Sequence, residues 1–216
     1  MPRAAAASIH ARVEGTEPST WEDPSLVQIW GPRFSVFVVP ARDLAVFTLG
    51  IMAALPPRGR KRAQDLAARL AAFLGGTRMT YAEAGRGLGV HPNSLRYAAA
   101  TGTVLIRWDA ARSSTVWTVP PPEVDSGDAR LELARRYLHI YGPATPESFG
   151  RWAGLGMRHA VPAFQALRGS LTTVRTPIGR RQTTHFGWLG RARRAIPCSA
   201  AAPDRTPAQG DRACRG

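Results

Sequence analysis

The chain has 216 residues, of which 44% are hydrophobic, so it can bury the core of one large domain or of two to three small ones. It contains no run of about 18 apolar residues, and its start lacks the apolar block of a signal peptide, which predicts a cytoplasmic protein that does not cross a membrane. With Cys198 and Cys214 as its two cysteines, it offers neither a disulfide framework nor zinc-ligand spacing.

The net charge of +14 is unevenly distributed along the chain. Residues 58–119 carry ten basic and three acidic side chains, and residues 180–216 carry eight basic and two acidic ones, which gives net charges of +7 and +6. Lys61 is the one lysine among the 29 basic residues, a preference that codon bias in a GC-rich gene explains as well as function does. Bias does not explain the clustering, which favours a polyanionic partner.

The N-terminal part, residues 1–57, contains signals for one strand and one helix. A continuous run of strand-forming residues covers 34–39 and is closed by Pro40. The segment ARDLAVFTLG that follows predicts a short helix ending at Gly50. PPRGRK, residues 56–61, has the Pro and Gly punctuation of a basic linker. We expect this part to be the remnant of an N-terminal winged-helix unit.

Residues 58–119 have the element order of a winged helix. A helix is predicted over 62–74 from its apolar face. Thr80 and Glu83 have the spacing of a capping box and start a second helix, and GVHPNSLRYAAATG, residues 89–102, gives a third. TVLIRWDA and STVWTV alternate like the two strands of a hairpin. Three helices followed by a hairpin are typical of a helix-turn-helix with a β wing.

The same order recurs over residues 129–179, after a Pro-rich acidic linker at 120–128. ARLELARRYLHIYG predicts a helix, and TPESFGRWAGLG predicts a second one with Thr145 as its N-cap. MRHAVPAFQALRG predicts a third helix whose regular part begins close to Pro162, and SLTTVRTPIG predicts a strand. We therefore expect a second winged helix here.

Two pairs of residues give the spacing of this repeat. Thr80 matches Thr145 at an offset of 65, and Gly89 matches Gly156 at an offset of 67. The fold class that follows is α+β and mostly helical, with tandem winged-helix units. Residues 180–216 have no sustained period and few aliphatic side chains, which predicts a disordered basic tail.

The third helix of the first unit carries the candidate DNA contacts. In a helix-turn-helix this helix buries one side and presents the other to the major groove. Asn and Arg side chains can bond base edges in pairs, and Ser and helix-terminal amides suit phosphates. The candidates are these residues of the third helix and the wing: His91, Asn93, Ser94, Arg96, Arg107 and Arg112. The same face could instead serve a protein-interaction scaffold, so both hypotheses stay open.

No metal, cofactor or nucleophile site is indicated. His139 and His159 have no Cys, Asp or Glu partners at ligand spacing, so we expect surface or interhelix histidines. No Gly-rich phosphate loop or Ser/His/Asp arrangement occurs. The tryptophans are expected to pack in the core or the wing. Double-stranded DNA is the predicted partner, which places the cytoplasmic protein on the nucleoid, and no cofactor is predicted.

Three segments carry a family resemblance: PRAAAASIHARVEG, LVQIWGPRFSVFVVPARDL and ARRYLHIYGPATPESFGRWAGL. With them, residues 1–179 resemble the AlkZ-like DNA glycosylases, a family of tandem winged-helix proteins. The resemblance implies three winged-helix units, a C-terminal β-barrel, and excision of alkylated or crosslinked bases from DNA. DNA glycosylase activity is therefore the alternative to simple DNA binding.

The chain departs from the family pattern at three places. The family's Gln-x-Gln or Gln-x-Asp catalytic motif lies just upstream of the segment matching PRAA, where Met1 stands here. Phe37 occupies a position that is usually His, and the tail does not resemble a β-barrel. These departures suggest a truncated or frameshifted gene product. Whether the chain is an enzyme is left open, and no catalytic residue is assigned.

Overall fold

The computed structural model describes residues 7, 9–11, 13–17, 19–108, 114–177 and 179–184. Its helices and strands follow in the order β1 (Leu26–Trp30), β2 (Val36–Pro40), α1 (Leu44–Met52), α2 (Pro57–Leu74), β3 (Met79–Thr80), α3 (Tyr81–Gly87), α4 (Leu95–Ala98), β4 (Val104–Arg107), β5 (Thr115–Thr118), α5 (Ser126–Tyr141), α6 (Pro146–Ala153), α7 (Met157–Ala166), β6 (Leu171–Thr176) and β7 (Gly179–Thr184). Helix predominates in this mixed α and β protein.

Helices α2, α3 and α4 pack around one apolar core with the β4–β5 hairpin. Leu70 of α2, Leu95 of α4 and Val116 of β5 are fully buried in it. Because these side chains come from elements 20 to 25 residues apart, the core forms only when the helices fold over the hairpin. The predicted capping box is confirmed: the Thr80 hydroxyl accepts from the Glu83 amide at 3.2 Å.

The N-terminal strands extend the sheet of this first unit. The antiparallel sheet has the order β2-β1-β4-β5-β3, with β1 paired to β4 through Gln28 and Ile106. The buried Gln28 side chain accepts a hydrogen bond from the Trp108 amide at 2.9 Å. Strand β1 was not predicted, and β2 begins at Val36, because a turn occupies 32–34. Parts of residues 1–57 and 58–119 therefore share one sheet.

Helix α1 lies on α5 at close range. A Cβ on Gly50 would stand 3.1 Å from the Ala129 carbonyl oxygen, so the small residue sets the distance between these helices. At the start of α1, the buried Asp43 carboxylate accepts two hydrogen bonds from Arg136 of α5, both at 2.9 Å. These contacts connect the N-terminal part to the second helical unit.

The second unit consists of α5, α6 and α7 followed by the antiparallel β6–β7 hairpin. Phe149, Leu133 and Phe164 are buried at its centre. Thr145 is the N-cap of α6, as predicted, and its hydroxyl accepts from the Ser148 amide at 3.2 Å.

The two units turn in the same way between their second and third helices. The Val90 amide donates to the Gly85 carbonyl at 2.9 Å, and 65 residues later the Leu155 amide donates to the Gly150 carbonyl at 2.8 Å. A glycine in the left-handed conformation follows the second helix of each unit. It is Gly89, with φ +65°, in the first unit and Gly154, with φ +74°, in the second. The match of Gly89 with Gly156 was therefore wrong by two residues, because Gly156 instead caps α7.

Gly85 and Gly150 leave no room for a larger residue at these turns. A Cβ on Gly85 would stand 2.8 Å from the Pro92 Cα atom, and a Cβ on Gly150 would stand 2.8 Å from the Leu155 carbonyl oxygen. Both glycines let the chain that follows the turn cross close to the second helix. The two units therefore share a requirement for glycine at this turn as well as the spacing of their elements.

Several predicted boundaries differ from the structure. The predicted linker at 56–61 instead forms the start of α2, with Pro57 at the first helical position. Proline is favoured there because the N–H that it lacks would have no partner within the helix. Helix α5 likewise begins inside the predicted linker, at Ser126. Helix α7 runs through Pro162, which is exposed, so water can reach the carbonyl that loses its partner.

The C-terminal boundary also differs. Residues 180–184, which we assigned to the tail, form most of β7, paired with β6 in register from Leu171 and Thr184 to Thr176 and Gly179. Hydrogen bonding to β6 across this hairpin forms a strand that the polar sequence GRRQTT did not signal. Residues 185–216, for which disorder was predicted, lie outside the described part of the chain.

Candidate nucleic-acid interface

The predicted third helix is a composite of short turns. Residues 92–94 and 99–101 are 3-10 turns that flank the single α-turn α4. Pro92 opens the segment and Gly102, with φ +76°, ends it. Leu95 and Ala98 point inward and are fully buried. His91, Asn93 and Ser94 precede α4, and Arg96 lies in it, so four of the candidates share one segment.

His91 and Asn93 are anchored by hydrogen bonds at the start of this segment. The exposed His91 ring accepts from the Asn93 amide at its Nδ1 atom, 3.2 Å away, and so acts as an N-cap. The Asn93 side-chain oxygen accepts from the Tyr81 hydroxyl at 2.8 Å. Burial raises the pKa of Tyr81, while the charge of Arg96 opposes the shift. The phenol therefore stays a donor, and among the described residues the Asn93 side-chain amide nitrogen has no hydrogen-bond partner.

Arg96 is held by its neighbour Tyr97. Its Nη2 atom donates to the Tyr97 hydroxyl at 3.2 Å, and its guanidinium carbon lies 5.1 Å from the centre of that ring. The Arg96 Nε atom is buried and has no hydrogen-bond partner among the described residues. Phe34 meets the Tyr97 ring edge-on at 5.0 Å. Aromatic contacts therefore hold the guanidinium in one orientation, and Tyr97 accepts its one side-chain hydrogen bond within the described part of the chain.

The structure describes Arg107 but not Arg112, the two candidates predicted on the wing. Arg107 ends β4, and its Nη2 atom lies 3.3 Å from the Glu22 carboxylate, with both side chains about half exposed. Glu22 thus offsets part of the charge that we assigned to the wing. Arg112 falls in residues 109–113, outside the described part of the chain. Ser94 lies at the start of α4, half-buried.

A basic cluster of the second unit was missed from the sequence. His159 is in the first turn of α7, and its Nε2 atom accepts from Arg158 Nε at 3.1 Å. Burial and the charges of Arg158, Arg130 and Arg60 lower the pKa of His159. At the offset of 65, Arg158 and His159 correspond to Asn93 and Ser94. The repeat spacing could have identified them, because it aligns the start of α7 with the start of the first unit's third helix.

Two open cavities lie beside these segments. One, of about 270 Å³, has Trp30, Tyr81 and Trp108 among its lining residues. The other, of about 480 Å³, lies where α5 meets the β6–β7 hairpin and is lined in part by Tyr141 and Arg181. Trp30 is buried in the core of the first unit, as expected, and Trp108 directly follows β4.

The described residues form neither a metal site nor a membrane-spanning helix. In that part of the chain, no three His, Cys, Asp or Glu side chains come together as a possible metal site. None of the helices placed by the structure is long and apolar enough to cross a membrane.

Comparison with known proteins identifies the family. The family model described as DNA glycosylase AlkZ-like matches residues 1–211, which extends the resemblance beyond residue 179. The solved structure of Streptomyces sahachiroi DNA glycosylase AlkZ superimposes with a TM-score of 0.68 at 17% identity, over 83% of this chain. This chain spans 59% of the length of that protein, and the similarity shows a shared fold. The chain matches no curated protein sequence. By the extent of the family match, the chain belongs to the AlkZ-like DNA glycosylase family.

Proposed function

We propose that the protein binds double-stranded DNA through two tandem winged-helix units, residues 58–119 and 126–184. The observation that carries the proposal is the repeated turn, in which Val90 bonds to Gly85 and Leu155 bonds to Gly150 at the same offset. Each turn joins two helices of a three-helix core, and each core is followed by an antiparallel hairpin. This order of elements supports the assignment of a helix-turn-helix with a β wing to each unit.

The charge of both units supports a nucleic-acid partner. Asn93 and Arg96 face outward from the third helix of the first unit, and the Arg158–His159 pair stands at the matching position of the second. The charges acting on His159 come from three arginines. These positive charges disfavour protonation of His159. A bound phosphate would offset them, so such a surface favours an anionic partner.

Titration with salt is the direct test of this function. The dissociation constant for a fluorescent 20-base-pair duplex is measured by anisotropy between about 50 and 200 mM NaCl. Because neutralising each phosphate releases condensed counterions, we expect the logarithm of the association constant, the reciprocal of the dissociation constant, to fall linearly with the logarithm of the salt concentration. The expected slope is about −0.9 for each phosphate contacted. A slope of zero, or the same affinity for a neutral polymer, contradicts the proposal.

Single substitutions then locate the surface. We expect Arg96→Ala to weaken binding by about 1–3 kcal/mol, because Tyr97 already holds its guanidinium in one orientation. Arg107→Ala is expected to have a smaller effect, since Glu22 already offsets part of its charge. Arg42, an exposed arginine just before α1, is the matched control. Equal losses for all three at unchanged melting temperature would place the DNA elsewhere.

Excision of a damaged base is the second candidate function, and family membership favours it. Cleavage of an N-glycosidic bond requires a group that positions or deprotonates water and a site for the released base. The test is release of 7-methylguanine from alkylated duplex DNA, compared with DNA without protein. Release above that control establishes glycosylase activity. Binding without release leaves DNA binding as the function of this chain.

A further inference from the structure

The turn between β1 and β2 holds its backbone in an uncommon conformation. Arg33, with φ +56° and ψ +23°, and Phe34, with φ +55°, are consecutive left-handed residues that are not glycine. Each left-handed L-residue brings its Cβ close to a carbonyl oxygen and costs free energy. Such strain persists only where the surrounding structure enforces it, and it concentrates at functional sites.

The strained turn is firmly built. The Gly31 amide donates to the Ser35 carbonyl at 2.9 Å, and the Phe34 amide donates back to the Gly31 carbonyl at 2.8 Å. Gly31 is packed beneath Phe37, whose ring would stand 3.0 Å from an added Cβ. The turn therefore presents Arg33 in one backbone geometry rather than in a range of them.

The strained turn contacts both helical units. On one side the Phe34 ring packs edge-on against Tyr97, the residue that orients Arg96. On the other side Arg33 abuts Gly154, the left-handed residue of the α6–α7 turn, where an added Cβ would lie 3.3 Å from Arg33 Cγ. The turn thus lies between the third helix of the first unit and the turn of the second.

Arg33 itself is exposed and makes no ion pair with a described residue. A guanidinium is a planar donor that matches the geometry of phosphate oxygens. We propose that Arg33 binds a phosphate of the DNA backbone at the junction between the two winged-helix units. The strained turn fixes where this contact lies relative to Arg96. This inference rests on the proposed DNA-binding function and adds a contact outside both helix-turn-helix motifs.

Substitution by glycine separates this role from a structural one. Glycine adopts φ +56° without a Cβ clash, so we expect Arg33→Gly to keep or raise the melting temperature. The same variant is expected to bind the 20-base-pair duplex about tenfold more weakly, with a salt slope shallower by about 0.9. Arg33→Gln, which keeps the side-chain packing, is expected to lose the same affinity, and Arg42→Ala is expected to retain it.

Three outcomes overturn the assignment while leaving DNA binding intact. If wild-type protein binds duplex with a salt-dependent slope and both Arg33 variants bind equally well, Arg33 makes no phosphate contact. If Arg33→Gly lowers the melting temperature and the affinity together while Arg33→Gln keeps both, the side chain is structural. An equal loss in Arg42→Ala would mean that only net charge matters. Absence of duplex binding by the wild-type protein instead contradicts the proposed function itself.

Discussion

The Asp43–Arg136 pair connects the N-terminal part of the chain to the second helical unit, and Asp43→Ala is expected to weaken that connection. The two residues are 93 positions apart, and both carboxylate oxygens accept from the guanidinium at 2.9 Å. The Asp43 side chain is 7% exposed and that of Arg136 is 33% exposed. Arg136 also donates from Nε to Glu132 at 2.8 Å, so its three nitrogens are all engaged.

The magnitude follows from what the substitution leaves behind. Burial by itself lowers the pKa of Arg136, but its hydrogen bonds to Glu132 and the charge of Asp43 raise it above the ordinary value. The guanidinium therefore remains charged when Asp43 is removed. Breaking a buried pair costs about 3–5 kcal/mol, and partial exposure with the remaining Glu132 partner reduces this to about 2–3 kcal/mol. For a chain of this size we expect a drop of about 4–12 °C in melting temperature.

A double-mutant cycle measures the interaction. Urea unfolding of Asp43→Ala, Arg136→Ala and the double variant gives the coupling free energy, which we expect to be about 2 kcal/mol. Arg151→Ala is the control, because its ion pair with Glu147 is solvent-exposed and we expect a change within about 0.5 kcal/mol. If Asp43→Ala costs no more than this control, the pair does not stabilise the contact between α1 and α5.

Other substitutions test the repeat, the titration of α7 and the capping of α6. In urea unfolding we expect Gly85→Ala and Gly150→Ala each to destabilise by about 1–3 kcal/mol through overpacking, and Gly169→Ala, where space is open, to change little. The pKa of His159 is lowered in the folded state, so stability is retained above about pH 6.5 and lost as the pH falls. His159→Gln is expected to reduce this acid-side loss between pH 7.5 and 5.5; an unchanged pH dependence would contradict it. Thr145→Ala removes a cap and is expected to cost about 1 kcal/mol in a thermal melt.

Local chemistry in the sequence determined where the two capped helices, α3 and α6, begin and how the units repeat. Thr80 was identified as a cap because Glu83 follows it at capping-box spacing, and Thr145 because Pro146 follows it at the first helical position. In both cases the hydroxyl accepts from an amide that the helix end leaves unpaired. The alternation of apolar residues placed the β4–β5 hairpin, and the charge count pointed to the first unit as a nucleic-acid surface. These signals act within one or two turns of chain, which is why they could be found without the fold.

The candidate site was only partly determined in this way. His91, Asn93 and Arg96 could be selected by residue type and helix position, but the Tyr81 bond to Asn93 and the Glu22 pair with Arg107 join distant segments. These contacts decide which donors are left for the proposed DNA contact and how much of the Arg107 charge is offset. Residue type alone carries no information about them.

The tertiary structure alone decided the pairing of β1 with β4, the buried Asp43–Arg136 contact and the left-handed turn at Arg33. Gln28 and Ile106 are 78 positions apart, and nothing in the intervening sequence marks them as neighbours. Arginine does not signal a left-handed backbone, since it normally avoids one. Such features form because the packed units force segments together, where burial and hydrogen bonding across the contact outweigh local conformational preference.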